Sequence, residues 1–267
     1  MQFLYHDKDL AVVIKPVGLD AESAVPAAIV AELSGECYTV HRLDLNVGGV
    51  MVYARTKAAA AALSRAIQEG LMVKEYVALV HGTVDAAGDW SDLLLKDARK
   101  NKVFVVDRMR KGVKDARLTF TRLTGGSCAP SLVRICLYTG RSHQIRVQFA
   151  SRKHPLVGDH KYGARDPHDA PMLYSCCLTF SWHGKELRFE HLPDWADAAR
   201  LDRITAMEAA FDRHNADDMP ILAAYLDGLW KADYEADERG AIPRCMKRGV
   251  LSEDGLYNLV TDWEAGR

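Results

Sequence analysis

The 267-residue chain has no apolar run near the ~20 residues that a membrane-spanning helix needs. Its start, Met1 to Val13, has no basic segment leading into an apolar core, so no secretory signal is expected. The six cysteines, at positions 37, 128, 136, 176, 177 and 245, show no C-x-x-C spacing. Cys176 and Cys177 adjoin in an apolar run and read as buried thiols rather than a disulfide or metal site. These absences favour a cytosolic protein with no membrane partner. Internal repeats and low-complexity linkers are also missing. What is present is an apolar share of 48%, ample for a packed core, in a length that suits one large domain or a domain with an appendage.

Net charge is close to nil, at −1, but it is unevenly spread. Lys96 to Arg122 holds ten Lys and Arg against three Asp, and Arg141 to Arg165 holds six against one. His191 to Gly240 reverses the sign, with five against twelve Asp and Glu. Such asymmetry points to a polyanion on one face, although a charge run by itself is also ordinary solvated surface.

Taken in order, Phe3–Tyr5 and Leu10–Ile14 read as a first strand pair, closed by Lys15-Pro16-Val17-Gly18. Lys15 reads as a turn residue with a possible phosphate contact. Ala24–Leu33 is expected to be helical, as is Lys57–Glu69, with Thr56 as its cap and Gly70 as its stop. Glu75–Val80 alternates as a strand, with Tyr76, Ala78 and Val80 on one face. Residues 82–90 read as a loop and 92–102 as a polar, basic stretch, followed by a short strand at Val103–Val106, a basic turn over 107–114 and a strand at Arg117–Leu123. Gly125-Gly126 breaks the chain before a strand at Leu132–Tyr138. Ser142 is expected to cap a helix carrying Ile145 and Phe149, with Arg146 near its N-terminus, a favourable place for an anion. Residues 154–163 read as a loop. His154, Asp159 and His160 there match no helix-borne metal pair, so no metal site is expected. Met172–Phe180 and Glu186–Glu190 read as a hairpin. Asp194–Arg213 reads as an amphipathic helix, and Asp218 opens a second with Leu222, Leu226 and Leu229 on one stripe.

The stretch Tyr38–Tyr53 organises the rest. His41-Arg42-Leu43-Asp44 is followed by a short loop with Gly48-Gly49 and then a hydrophobic run. Glycines let the backbone turn tightly or let a ligand come close. The neighbouring Arg would hold Asp44 ionised. By itself this stretch fits a surface ion pair at a strand end better than catalysis.

Four motifs together are more specific. The His41–Asp44 tetrad resembles the HRLD signature of RluA-type pseudouridine synthases, and Lys74-Glu75-Tyr76 resembles that family's K-x-Y strand. Gly140-Arg141-Ser142-His143-Gln144-Ile145-Arg146 resembles its G-R-x-H-Q-I-R segment. His154-Pro155-Leu156-Val157-Gly158-Asp159 with Tyr162-Gly163 resembles its H-P-[IL]-x-G-D…Y-G segment. Order and spacing agree over about residues 3 to 195.

The resemblance implies an α+β fold, with a central mixed, mostly antiparallel sheet flanked by helices and the site in a cleft across it. It implies an RNA pseudouridine synthase that uses no cofactor or metal, acting on structured RNA, either tRNA or rRNA. Asp44 would be the essential aspartate, as nucleophile or as base. Tyr76 would stack on the uracil, Arg146 would pair with Asp44, and Ile145 would be an apolar wall. His41 and Arg42 would position the loop and contact RNA, with Arg141, His143 and Gln144 also binding substrate. Residues 1–195 would form the catalytic domain and 196–267 a helical C-terminal extension. A monomer is expected, with no room before Phe3 for a further RNA-binding domain. The family's Thr-Ser-Gly-like turn is replaced by Val47-Gly48-Gly49, and its L-H-A by Leu173-Tyr174-Ser175, which bears on substrate choice more than on catalysis. Two readings compete: a non-catalytic RNA-binding protein on the same scaffold, and a hydrolase acting on another glycoside. The second lacks a clear second carboxylate near the motifs.

Overall fold

A computed structural model describes residues 1–124 and 130–196. Gly125-Gly126, Cys128, Cys245 and the tail helices expected beyond Ala196 lie outside the described residues. Hydrophobic alternation of period two builds the strands. They are β1 (Gln2–His6), β2 (Leu10–Lys15), β3 (Tyr38–Thr39), β4 (Gly48–Ala54), β5 (Val73–Val80), β6 (Ala87–Asp97), β7 (Lys102–Val106), β8 (Val113–Thr124), β9 (Ser131–Leu137), β10 (Leu173–Trp182) and β11 (Lys185–Glu190). Three helices join them: α1 (Ala24–Leu33), α2 (Lys57–Gln68) and α3 (Gln144–Ser151).

All eleven strands form one sheet in the order β1-β2-β4-β10-β5-β9-β8-β6-β7, with β3 added to β4 and β11 to β10. The β4–β10 pair is parallel, and the other described pairs are antiparallel. The α+β architecture with a mixed, mostly antiparallel sheet is therefore as expected. Successive residues point to opposite faces. Met51, Tyr53, Tyr76, Ala78, Ile135 and Leu118 share one core with Val25 and Ile29 of α1 and Ile145 and Phe149 of α3. Val50, Val52, Leu178 and Phe180 share another with Ala59 and Leu63 of α2. Strand β4 is buried along its whole length because both of its faces are covered.

Local chemistry explains the helix ends. Thr56 Oγ1 accepts from the Ala59 amide at 3.2 Å, and Gly70 follows α2 at φ +72°. Ser142, by contrast, is not the cap of α3. His143 holds that place in the left-handed region at φ +51°, with no capping bond from its side chain. The Gln144 side-chain Oε1 instead accepts from the Arg141 amide at 3.1 Å and the Thr139 hydroxyl at 2.8 Å, which closes the turn from the opposite side.

The largest difference from expectation is β6. Residues 87–97 form an eleven-residue strand where the sequence suggested a loop and a polar stretch. Five of its eleven residues are polar or charged, and Ala87, Asp89, Ser91 and Lys96 are exposed. Its backbone is paired on both edges, with β7 and β8, and needs no apolar alternation to be so.

Gly49 is fixed by the sheet itself. At φ +127°, it lies so close to β10 that a Cβ there would sit 2.3 Å from the Ser175 carbonyl oxygen. This close approach brings the Asp44 loop over the middle of the sheet.

Candidate active site

The turn carrying Asp44 is held from beneath by Lys15. This lysine is fully buried, and its ammonium donates to the carbonyls of Pro16 at 3.0 Å, Leu45 at 3.1 Å and Val47 at 2.8 Å. Burial pushes its pKa down to about 8, against the pull of Asp20 and Asp44. A lysine that the sequence suggested as a turn residue is thus the strut of the loop.

Arg146 reaches Asp44 from α3. Its Nη1 donates to Asp44 Oδ2 at 3.1 Å, and its Nε and Nη2 form a two-pronged pair with Asp159 at 2.7 and 2.8 Å. Burial alone would weaken the guanidinium's hold on its proton. Asp159 and Asp44 more than offset this and raise its pKa. The Asp159 side chain is fully buried, whereas that of Asp44 keeps 25% of its surface exposed. A second carboxylate therefore does stand beside the motifs, contrary to the sequence reading, but it is spent on Arg146. What the sequence missed is that Asp159, in the H-P-L-V-G-D segment, fixes the arginine that holds Asp44. Tyr162, two residues beyond His160, lies under the same guanidinium with its ring centroid 5.2 Å away. Its hydroxyl accepts from the Val103 amide at 2.9 Å and bonds to His143 Nδ1 at 2.9 Å. This leaves His143 Nε2 3.8 Å from Asp44 Oδ2. Burial lowers the pKa of His143 despite Asp44, which favours the neutral ring.

A cleft of about 510 Å³ opens in front of Asp44 and is lined by all nine residues singled out from the sequence: His41, Arg42, Asp44, Tyr76, Arg141, His143, Gln144, Ile145 and Arg146. Tyr76 is 7% exposed. Burial raises its phenol pKa and the Asp44 charge adds to this, with a hydrogen bond to Ser175 working the other way. The phenol is therefore neutral at ordinary pH. Ile145 and Leu173 supply apolar wall.

Several of the expected substrate contacts are committed to the protein. His41 Nε2 accepts from the Val52 amide at 3.1 Å, and burial, helped by the Lys74 charge, pushes its pKa down to about 3. Gln144 Nε2 donates to the Arg117 carbonyl at 3.1 Å, so this amide braces the turn from both ends. Arg141 holds Asp115, and the exposed Arg42 pairs with Glu22 at 2.6 Å on the cleft lip. A second hollow of about 410 Å³ meets the first at Arg42, Asp44, His143 and Arg146 and is lined by Lys96, Asn101 and Lys161.

The weighed metal trio is not assembled. Asp159 faces Arg146, His154 Nδ1 donates to the His81 carbonyl at 2.9 Å, and His160 Nε2 to the Asp166 carbonyl at 2.8 Å. Among the described residues, no group of three His, Cys, Asp or Glu could hold a metal ion.

Comparison with known proteins identifies the family. A family model described as RNA pseudouridylate synthase matches residues 9–151, and a second, for a domain of unknown function, matches 200–265. An uncharacterised RNA pseudouridine synthase of Mycoplasma pneumoniae is 33% identical over 218 residues, covering 76% of this chain and 70% of its own. One from Mycobacterium bovis is 34% identical over 228 residues, covering 78% and 70%. Ribosomal large subunit pseudouridine synthase D of Vibrio cholerae is 33% identical over 177 residues, 62% of this chain but only 53% of the relative. The solved human RNA pseudouridylate synthase domain containing 1 shares the fold, with a TM-score of 0.64, 24% identity, and coverage of 72% of this chain and 83% of that one. The chain thus belongs to the RluA-type family of RNA pseudouridine synthases, isomerases that modify RNA.

Proposed function

We propose that the protein isomerises specific uridines of a structured RNA, a tRNA or an rRNA, with Asp44 as the essential group and with no cofactor. The observation that carries this is the chain of charge Asp159–Arg146–Asp44 at the floor of a cleft walled by Tyr76. Isomerisation breaks the bond from the ribose to N1 of uracil and forms one to C5, moving one proton from C5 to N1. Nothing is oxidised or reduced, so no redox partner is required.

Asp44 acts as an anion, attacking the ribose or removing a proton from it. Either role needs the carboxylate held still, and the hydrogen bond from Arg146 at 3.1 Å does this. Tyr76 offers its ring to the uracil, Ile145 and Leu173 close the apolar side, and His143 sits beside Asp44 as a neutral hydrogen-bonding group. A uridine paired in RNA must first be extruded, at a cost of a few kcal/mol, offset by stacking and hydrogen bonds in the cleft. Arg42 and Arg141, on the rim and paired with Glu22 and Asp115, add positive charge beside the flanking strand. Residues 1–195 carry the chemistry and 196–267 form an appended unit, in a cytosolic monomer.

The test is pseudouridine mapping of total RNA from cells with and without the gene, complemented by wild type or by Asp44→Asn. A site lost with the gene and restored by wild type alone identifies the RNA and the aspartate together. Restoration by Asp44→Asn would overturn the role of Asp44. Purified protein that binds RNA but forms no pseudouridine in unmodified transcripts would favour a binding protein.

A further inference from the structure

Four side chains with full positive charge line the cleft: Arg42, Lys74, Arg141 and Arg146. Three are satisfied within the protein, Arg42 by Glu22, Arg141 by Asp115 and Arg146 by Asp159 and Asp44. Lys74 differs. It is half-buried in β5, and among the described residues its ammonium makes no hydrogen bond or ion pair. Burial lowers its pKa, and what pulls the other way is Cys136, a thiol whose own proton is held more tightly by burial. Removing a cation from water without a partner costs free energy that the folded protein does not recover. Such a charge is kept either by accident or for an anion that arrives later.

Its surroundings favour the second. Lys74 and Tyr76 are two apart on one strand, so they face the same cleft about 7 Å apart along the chain. Leu137 lies opposite Lys74 across the β5–β9 pair, and the chain then turns at Gly140. A Cβ at Gly140 would lie 3.4 Å from Lys74 Nζ. Gly140 is not held at positive φ, so its backbone does not require glycine. The missing side chain leaves one side of the ammonium uncovered. The neighbouring His41 is held neutral, in part by Lys74 itself, and adds no competing positive charge.

We propose that Lys74 is a phosphate-binding residue: it takes a phosphodiester next to the uridine whose base lies on Tyr76. The inference deepens the synthase reading and rests on it. Lys74 is a binding residue that anchors the strand as the base is extruded.

Lys74→Met in the full chain keeps the apolar stem and removes the charge. The probe is a synthetic stem–loop RNA carrying the mapped uridine, used intact and with a single uncharged methylphosphonate on either side of it. For the intact RNA, Lys74→Met should weaken binding roughly tenfold or more, seen in Kd and KM rather than kcat. The slope of log affinity against log salt should fall by about 0.7 to 0.9, the value of one phosphate. One of the two methylphosphonates should weaken wild type and leave Lys74→Met unaffected. Thermal unfolding should be unchanged or move upward in Lys74→Met, because an uncompensated charge has gone; a lysine with a structural role would lower it. An unchanged salt slope, or equal sensitivity of both proteins to both methylphosphonates, overturns the proposal and leaves a base carbonyl as the other contact. Pseudouridine formation by wild type on the same RNA is scored separately. If it occurs without the coupling, only the Lys74 assignment falls. If it does not occur, the synthase reading falls, and the binding arms still decide whether Lys74 meets a phosphate.

Discussion

Asp44, partly exposed at the floor of the cleft, is held by an arginine that a second, fully buried aspartate fixes in place. Asp159 occupies two nitrogens of Arg146 and leaves the third for Asp44. Asp159→Asn should therefore damage the enzyme twice. Unpairing a buried charge costs about 3–5 kcal/mol of stability, measurable by urea denaturation. The freed guanidinium should also let Asp44 drift, lowering kcat on intact RNA even where the protein remains folded. Arg146→Lys keeps the charge but loses the fork and should lose kcat in the same way. Lys15 gives a pH signature. Its pKa is about 8 in the fold against an ordinary value of 10.5. As pH rises through 8, the strut loses its proton and one of its three donors, so kcat should fall. Stability should move the other way. Between pH 8 and 10.5 the unfolded chain binds this proton more tightly than the fold does, so unfolding takes up a proton and this residue's contribution rises with pH. Rate and thermal-unfolding profiles diverging above pH 8, with the step in rate missing from Lys15→Met, would establish the strut.

Regular elements were legible where their periodicity was driven by burial. Strands β1, β2, β5 and β9–β11 and helices α1 and α2 fall close to where apolar spacing and caps place them. The misses share a cause. Strand β6 is defined by backbone pairing with two neighbours, and α3 starts at a left-handed histidine with the following glutamine side chain bracing the turn. Asp44, Tyr76 and Arg146 were readable because four motifs occur in order. Lys15, Asp159 and Tyr162 were harder because their importance lies in what they touch, far along the chain. Two substitutions test the elements. Gly49→Ala pushes a Cβ into the Ser175 backbone at a residue with φ +127°, and should cost roughly 3 kcal/mol while displacing the Asp44 loop. Thr56→Ala removes only a helix cap and should cost about 1 kcal/mol without changing kcat.

Across the whole molecule, net charge misleads. At −1 it suggests indifference to polyanions, yet Arg99, Lys100, Arg108, Arg110 and Lys111 are exposed around the β6–β7 hairpin and the turn after β7. RNA binding should be steeply salt-dependent, losing about a thousandfold between 50 and 200 mM salt if six or so phosphates are contacted. A shallow slope would show that these charges are only solvated surface. The site also has a history in time. Asp44 and Arg146 are separated by 102 residues and meet only across the central strands, through the one described parallel pair. Contacts so distant in sequence close late in folding, because the chain entropy of the long loop is lost before the contact repays it. After dilution from denaturant, far-ultraviolet circular dichroism should return before catalysis does. A newly made chain would hold most of its sheet for some time before it could alter any RNA.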